Sequence, residues 1–318
     1  MSQPNFHLRA AIELTFASVL WGFGFIAAVW ALDVMGPLSL TGWRFFTAGF
    51  VGMGISLLLP SLRRQITPQQ FMLAAIPGLL LCLTILLQTW GLLYTTATKS
   101  GFITTLYVLI VPLLEFIFLK RPLAKKHFIY VALGLIGVAL ICDLPAEISG
   151  SQAAAMTATA PLLAHKLRWN FGDLLTLACA IVASFHIVYF GKIQKRIGSA
   201  FVFNNFQSIW ACFLPLTLAM FFEGPILIGP HGLHFMSASL IGFCSLAFGS
   251  TLIAFALQVR AQKVLSPSLA SLLFLLESPF ATLFAVYYLD EKLKTSQWVG
   301  AGLILLAAGL STALATED

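Results

Sequence analysis

The stretch Phe71-Met72-Leu73-Ala74-Ala75-Ile76-Pro77-Gly78 returns 164 residues later as Phe235-Met236-Ser237-Ala238-Ser239-Leu240-Ile241-Gly242. Two further pairs of segments keep nearly the same spacing, of 163 and 167 residues: 43–45 with 206–208, and 107–112 with 274–279. Loops absorb so small a drift. Two related halves of roughly 145 residues predict a pseudo-symmetric bundle whose site lies between the halves, as is typical of secondary transporters.

Composition indicates that these halves cross a membrane. The chain is 59% hydrophobic and 9% charged, with a mean hydropathy of +0.93, whereas soluble domains carry roughly 25% charged residues. Uncharged runs at 65–98, 197–222 and 224–259 exceed the roughly 20 residues that a helix needs to cross a bilayer. We therefore predict an all-α membrane protein that partners the lipid bilayer. The pI near 9.2 does not predict nucleic-acid binding, since there is no solvated domain to carry a basic patch.

Hydropathy divides the chain into ten predicted transmembrane helices, five in each half. They lie near 10–32, 37–59, 71–94, 100–119, 127–143, 171–191, 200–222, 236–258, 267–289 and 296–315. Because ten is even, both termini are expected on one side. The first half is taken as residues 1–145 and the second as residues 171–318.

Basic residues orient these spans. With the termini inside, twelve lysines and arginines fall in inner segments and five in outer ones, and positive charge favours the cytoplasmic side. We predict a multi-pass protein of the cytoplasmic (inner) membrane with both termini cytoplasmic. Five spans per half make the second half enter from the opposite side, so the repeats are inverted. The sequence leaves monomer and homodimer open.

The connection 146–170 is rich in small residues, such as 149–155 and 157–161. This composition is typical of a flexible linker, which the topology places outside. A lid over a site is the alternative, since long loops also serve as lids.

Several segments resemble one known family. They are 91–97 with 101–108, 262–267 with 276–279, 290–293 with 298–300, and Pro37 with Arg44. On these the chain is identified as similar to the EamA-like branch of the drug/metabolite transporter superfamily, and each half to one five-helix repeat. The resemblance implies a transporter. Lys120-Arg121-Pro122-Leu123 departs from the family, which often has Glu before the Leu, and Glu115 matches no general family residue.

Charges at membrane depth are costly and mark functional positions. Arg44 in the second span is a candidate to hold a substrate carboxylate or phosphate with its planar fork; pinning the helix to a polar neighbour is the alternative. Glu277, two residues before Pro279, favours the protonated form when dry and is the candidate for proton coupling; tying helices together is its alternative. Glu115 is expected to be structural.

The remaining substrate-binding candidates are polar or aromatic. Gln88 and Gln258 belong to small-and-polar stripes at helical spacing, 84–95 and 247–258, that predict either a solute path or a packing face. Gln207 occupies the position in the second half that corresponds to Arg44 in the first. Trp21 and Trp43 are candidate cavity walls. Tyr94 belongs to the family-like segment, and His186 is a candidate cavity residue or a packed histidine.

Enzyme motifs are absent from the sequence: no HExxH, no P-loop, no G-x-S-x-G and no dinucleotide fingerprint. We therefore predict no catalytic residue, no metal and no cofactor. The function expected is secondary transport, as a proton-coupled exporter, of a small-molecule substrate such as an amino acid. The alternatives are a lipid-linked sugar flippase and another non-enzymatic membrane protein of the same fold.

Overall fold

The computed structural model describes residues 4–120, 125–142, 170–223, 238–289 and 294–315. Within these ranges the chain is helical and contains no strand. The predicted linker, apart from Asn170, and the family-like turn 290–293 lie outside the described residues, so the expectations placed on them stay predictions.

The helices follow the predicted spans, some of them in two pieces. The first half contains α1 (Pro4–Leu32), α2 (Pro37–Leu58), α3 (Pro60–Arg63), α4 (Pro68–Leu73), α5 (Ala75–Gly91), α6 (Ala97–Thr105), α7 (Tyr107–Leu119) and α8 (Lys125–Cys142). The second half contains α9 (Phe171–Ile193), a 3₁₀ turn (Gln194–Arg196), α10 (Ala200–Phe222), α11 (Ala238–Cys244), a π-helical segment (Ser245–Ala254), α12 (Phe255–Ala261), α13 (Pro267–Phe274), α14 (Glu277–Leu289) and α15 (Thr295–Ala315).

Six helical stretches among the described residues are long and apolar enough to cross a membrane: His7–Leu32, Ala97–Leu119, Phe171–Arg196, Ala200–Phe222, Ala238–Ala261 and Pro267–Tyr288. Ala75–Gly91 is one of the shorter apolar helices. An all-helical fold with several membrane-spanning helices is thus in place. The count of ten spans and the inverted relation of the halves stay predictions.

Two of these stretches break at a matching place. The break between α6 and α7 falls at Leu106, whose amide bonds to Ile103 at 3.2 Å. The break between α13 and α14 falls at Leu275 and Leu276, where the Leu275 amide bonds to Leu272 at 3.2 Å. Bonds of this i to i−3 kind tighten a helix end. Glu277 therefore lies in the first turn of α14, where a helix N-terminus favours negative charge.

Helices of the first half pack chiefly on helices of the second. α2 lies along α10, α5 along α9, α8 along α15, and α1 against α11, α14 and the π-helical segment. The main core cluster includes Trp21, Tyr107, Ile187, Phe255 and Phe274 and so draws on both halves. The cavity described below lies within it.

Candidate functional site

A cavity lies between the helices at the level of the two breaks. Its walls are mostly apolar and aromatic, with a few polar groups, which is the usual make-up of a small-molecule site. Six of the nine predicted site residues line it: Trp21, Arg44, Gln88, His186, Gln258 and Glu277. Trp43, Tyr94 and Gln207 lie outside the lining.

Arg44 is a buried cation held by neutral groups. Its side chain donates from Nε to Thr251 Oγ1 at 2.9 Å and from Nη2 to Ser250 Oγ at 3.0 Å. Its guanidinium carbon also lies 5.7 Å from the centre of the Phe45 ring, within the range of a cation–π contact. Residue Arg44 is 4% exposed and forms no ion pair with any described residue. Its positive charge is therefore open to compensation by an anion in the cavity.

The π-helical segment supplies both hydroxyls and the carbonyls around them. The carbonyl of Ser250 accepts from Trp21 Nε1 at 3.2 Å. Asn204 Nδ2 donates to the carbonyls of Thr251 and Leu252, both at 3.1 Å. A π turn leaves backbone carbonyls for such donors and recurs at functional sites. Trp21 on α1 and Asn204 on α10 thus hold the segment that binds Arg44. No sequence pattern predicted these bonds, because a π turn has no period of its own in so apolar a stretch.

Glu277 faces the same cavity as Arg44. It is 8% exposed and accepts no hydrogen bond from a described residue. Tyr107, at the start of α7, also lines the cavity, and its hydroxyl has no hydrogen-bond partner among the described residues. The cavity thus holds a buried cation and a carboxyl that has no hydrogen-bond partner among the described residues.

His186 and Gln207 form a polar corner beside the cavity. The His186 ring packs edge-on against Phe190 with centroids 4.9 Å apart, and its Nε2 has no partner among the described residues. Gln207 is fully buried behind it and donates to Asn204 Oδ1 at 2.8 Å. Gln207 thus supports Asn204, which holds the π-helical segment, and it reaches the cavity only through its neighbours.

The two polar stripes are divided between the cavity and packing. Thr84 and Gln88 line the cavity, and Gln88 Nε2 donates to Thr104 Oγ1 at 3.2 Å. Gly91, one turn further, meets Gly172 so closely that a Cβ on Gly172 would lie 2.5 Å from the Gly91 carbonyl oxygen. In the second stripe Gln258 lines the cavity and donates to Gln262 Oε1 at 3.0 Å. The stripes therefore contribute to the cavity wall at some turns and to helix packing at others, and the solute path stays a prediction.

Trp43 and Tyr94 point away from the cavity for geometric reasons. Trp43 precedes Arg44 on α2, and successive residues of an α-helix are rotated by about 100° around its axis. The Trp43 ring instead packs on Phe46, with ring centroids 5.2 Å apart. Tyr94 lies just beyond the Gly91–Gly172 contact, where it is 44% exposed and packs on Phe171 at 5.5 Å. Trp21 instead packs inside, on Phe255 at 5.1 Å and on Phe274 at 5.3 Å.

Three carboxylates cap helix ends, a role that the sequence analysis did not predict for them. Glu115 caps α13, since it accepts bonds from the amide and the hydroxyl of Ser268. Glu223 caps α2 through the amides of Leu38 and Ser39, each at 2.8 Å. Asp173 forms a capping box with Asn170 at the start of α9. The separation of three residues between the Asn and the Asp is a sequence signal from which this cap could have been predicted.

The fold and the cavity define a helical membrane protein with several membrane-spanning helices and a mostly apolar cavity that contains a few polar groups. The family model of the EamA-like transporter family matches residues 9–142 and again residues 170–313, and the chain belongs to that family. An uncharacterized transporter of Archaeoglobus fulgidus is 29% identical over 300 residues, covering 94% of this chain and 84% of that one. The resemblance drawn from the sequence is confirmed, and the chain is a membrane transporter rather than an enzyme.

A solved crystal structure shares the fold, with a TM-score of 0.71 at 18% identity. The match covers 96% of this chain and 98% of the chain in that structure. The whole length of the chain is therefore involved in the likeness.

Proposed function

We propose that this protein is a secondary transporter that exports a small organic metabolite bearing a carboxylate, such as an amino acid, across the cytoplasmic membrane. The observation that carries the proposal is Arg44: a buried guanidinium in a cavity, bonded to two hydroxyls and to no carboxylate of the described chain. A planar guanidinium binds a carboxylate through two parallel hydrogen bonds.

Glu277 extends the proposal to coupling and to the second end of the substrate. Its carboxyl lines the same cavity without a hydrogen-bond partner among the described residues. A protonated Glu277 carries a proton across, whereas an ionised Glu277 attracts an ammonium group. Alternating access changes the water around this side chain, and hence its proton affinity, which is the physical requirement for proton exchange against solute.

We assign the remaining substrate-binding roles to predicted residues that line the cavity. Trp21, Gln88, His186 and Gln258 surround Arg44 and Glu277 and present an aromatic wall and amide groups to a solute. The proposed topology places ten spans in two inverted five-helix repeats, residues 1–145 and 171–318, with the linker 146–170 outside and both termini in the cytoplasm.

The test is counterflow in proteoliposomes with a panel of amino acids, nucleosides, vitamins and amines. We expect exchange of a carboxylate-bearing solute, and its acceleration by a pH gradient. The control is the same panel in liposomes with Arg44→Gln protein. Exchange of none of the panel under either condition would favour the lipid-linked sugar flippase.

A further inference from the structure

We propose that two ion pairs, Lys99–Asp173 and Arg260–Glu13, are gate latches at opposite ends of the cavity. Each ties the first helix of one half to the connection between the third and fourth spans of the other half. The proposal rests on the alternating access proposed above and adds the residues that hold each end closed.

The first latch ties α6 to α9. Lys99 Nζ lies 2.6 Å from Asp173 Oδ2, and Thr95 Oγ1 donates to Asp173 Oδ1 at 2.8 Å. The Asp173 side chain is fully buried, whereas 41% of the Lys99 side chain is exposed. Asp173 also accepts from the amide of Asn170 at 2.9 Å, a bond that lies within its own helix end.

The second latch ties α1 to α12. Arg260 donates from Nε to Glu13 Oε2 at 2.8 Å, and its Nη2 lies 2.7 Å from Glu13 Oε1. The Glu13 side chain is 10% exposed and that of Arg260 50%. Glu13 has a second partner on its own helix, since Arg9 Nε lies 3.0 Å from Oε1. One hydrogen bond and a second close contact to the same carboxylate make this ion pair specific in geometry.

The latches lie at opposite ends of the cavity. Asp173 begins α9, whereas Phe190 and Ile193 at its other end pack with Val259, the neighbour of Arg260. Twenty residues of helix from position 173 to position 193 span about 30 Å. Ala183 and His186, midway between, line the cavity.

The two carboxylates occupy related positions in the two halves. The family model begins its two matches at residues 9 and 170, which places Glu13 four residues into the first match and Asp173 three residues into the second. Each carboxylate then reaches a basic residue of the opposite half. The first helix of each half thus supplies one of the two carboxylates, close to the start of its match.

The chemistry suits a contact that opens and closes. An ion pair with a partly exposed cation is weak enough to break, because water solvates the freed cation. Breaking a pair is costly when a buried carboxylate is left alone. Here Asn170 and Arg9 remain with Asp173 and Glu13, respectively, when the opposite half moves away. Both latches are formed in this structure, so the cavity is tied at both ends.

The test measures access to the cavity from each face. In full-length protein with its native cysteines replaced, Ala183→Cys supplies one thiol in the cavity wall. Its labelling by the impermeant trimethylammonium-ethyl methanethiosulfonate is timed in right-side-out and in inverted vesicles. Lys99→Gln should raise the labelling rate about two- to fivefold from one face alone, the outer face by the predicted topology. Arg260→Gln should raise it by a similar factor from the opposite face alone.

Three controls separate gating from damage. Lys263→Gln removes a nearby positive charge that bonds to the Gly198 carbonyl and not to Glu13, and it should leave both rates at the parent value. Lys99→Arg and Arg260→Lys should keep low labelling, because the charge remains. A misfolded variant would label faster from both faces, which overturns the proposal, as does an increase from the same face in both variants or in neither. Labelling needs no substrate, so one-sided opening without any transport would defeat the proposed function and leave the latches standing.

Discussion

Arg44 shows how a single residue defines the chemistry of the cavity. Hydroxyl partners at 2.9 and 3.0 Å fix the orientation of its guanidinium without neutralising it. A buried cation without a counter-charge is costly, and an incoming carboxylate removes that cost. By the same reasoning, we expect the proposed site to favour an anionic group over a neutral solute, which leaves the charge uncompensated.

We expect Arg44→Lys to weaken substrate binding by about tenfold or more, because an ammonium is a point charge that cannot form two parallel bonds. Arg44→Gln should be weaker still, since the charge is gone. Equilibrium binding to purified protein measures both. If both variants bind at the wild-type affinity while eluting as a single monodisperse species, Arg44 does not hold the substrate.

Glu277→Gln preserves the size of the side chain and fixes it as neutral. We expect solute-for-solute exchange to continue and its acceleration by a pH gradient to disappear, because the variant has no proton to give up. Transport with and without an imposed gradient is the measurement. Glu115→Gln, which changes a carboxylate that caps α13 instead of lining the cavity, is the matched control. A Glu277→Gln protein still driven by the gradient at the full rate would assign coupling elsewhere.

At the scale of elements, the π-helical segment matters more to the site than its hydropathy suggests. Trp21, Arg44 and Asn204, from three different helices, all bond to residues 250–252. A wide turn in this place lets both side-chain hydroxyls and backbone carbonyls accept. The element therefore links helices of both halves beside the cavity.

Thr251→Val tests that connection. It removes the hydroxyl that accepts from Arg44 Nε and leaves a buried donor unpaired, which typically costs about 1–3 kcal/mol. We expect substrate affinity to fall by about five- to tenfold, at the lower end of the range that 1.4 kcal/mol per factor of ten implies. Ser245 lies in the same segment, and its side chain forms no hydrogen bond with a described residue. The Ser245→Ala variant should therefore bind as the wild type does. Equal affinities for the two variants would contradict the role given to Thr251.

At the scale of the molecule, the two halves are interlocked. α2 with α10, α5 with α9 and α8 with α15 each join one half to the other, and Gly91 with Gly172 lets α5 and α9 meet backbone to backbone. Small residues at such contacts are the usual means of close helix packing in a bilayer. A movement that opens the cavity therefore has to slide or tilt these pairs together.

The predicted orientation belongs to the same scale. In a cysteine-free background we expect Ala155→Cys in the 146–170 linker to react with an impermeant maleimide on intact cells. Gln65→Cys, on the exposed connection between α3 and α4, should react only after permeabilisation. The physical reason is the excess of basic residues on the side of Gln65. The reverse pattern of labelling would invert the topology.

The sequence by itself determined the class of fold. Long apolar runs leave a helix as the only way to satisfy the backbone in lipid, and the repeated segments, together with the family-like motifs, led to the EamA-like transporter family that the match over residues 9–142 and 170–313 confirmed. It also singled out Arg44 and Glu277, because a charge in an apolar span is costly enough to be conspicuous.

Only the tertiary structure decided which candidates meet. Helical periodicity gives a face but not what the face touches, so Thr84 and Gln88 reached the cavity while Gly91, on the same stripe, became a packing contact. Trp43 and Tyr94 are aromatic residues of the kind that can line a cavity, but their rings pack on Phe46 and Phe171 instead. The bonds of Arg44 to Ser250 and Thr251 join positions 206 and 207 residues apart in the chain. No local pattern encodes such a distance, since it depends on how the two halves pack.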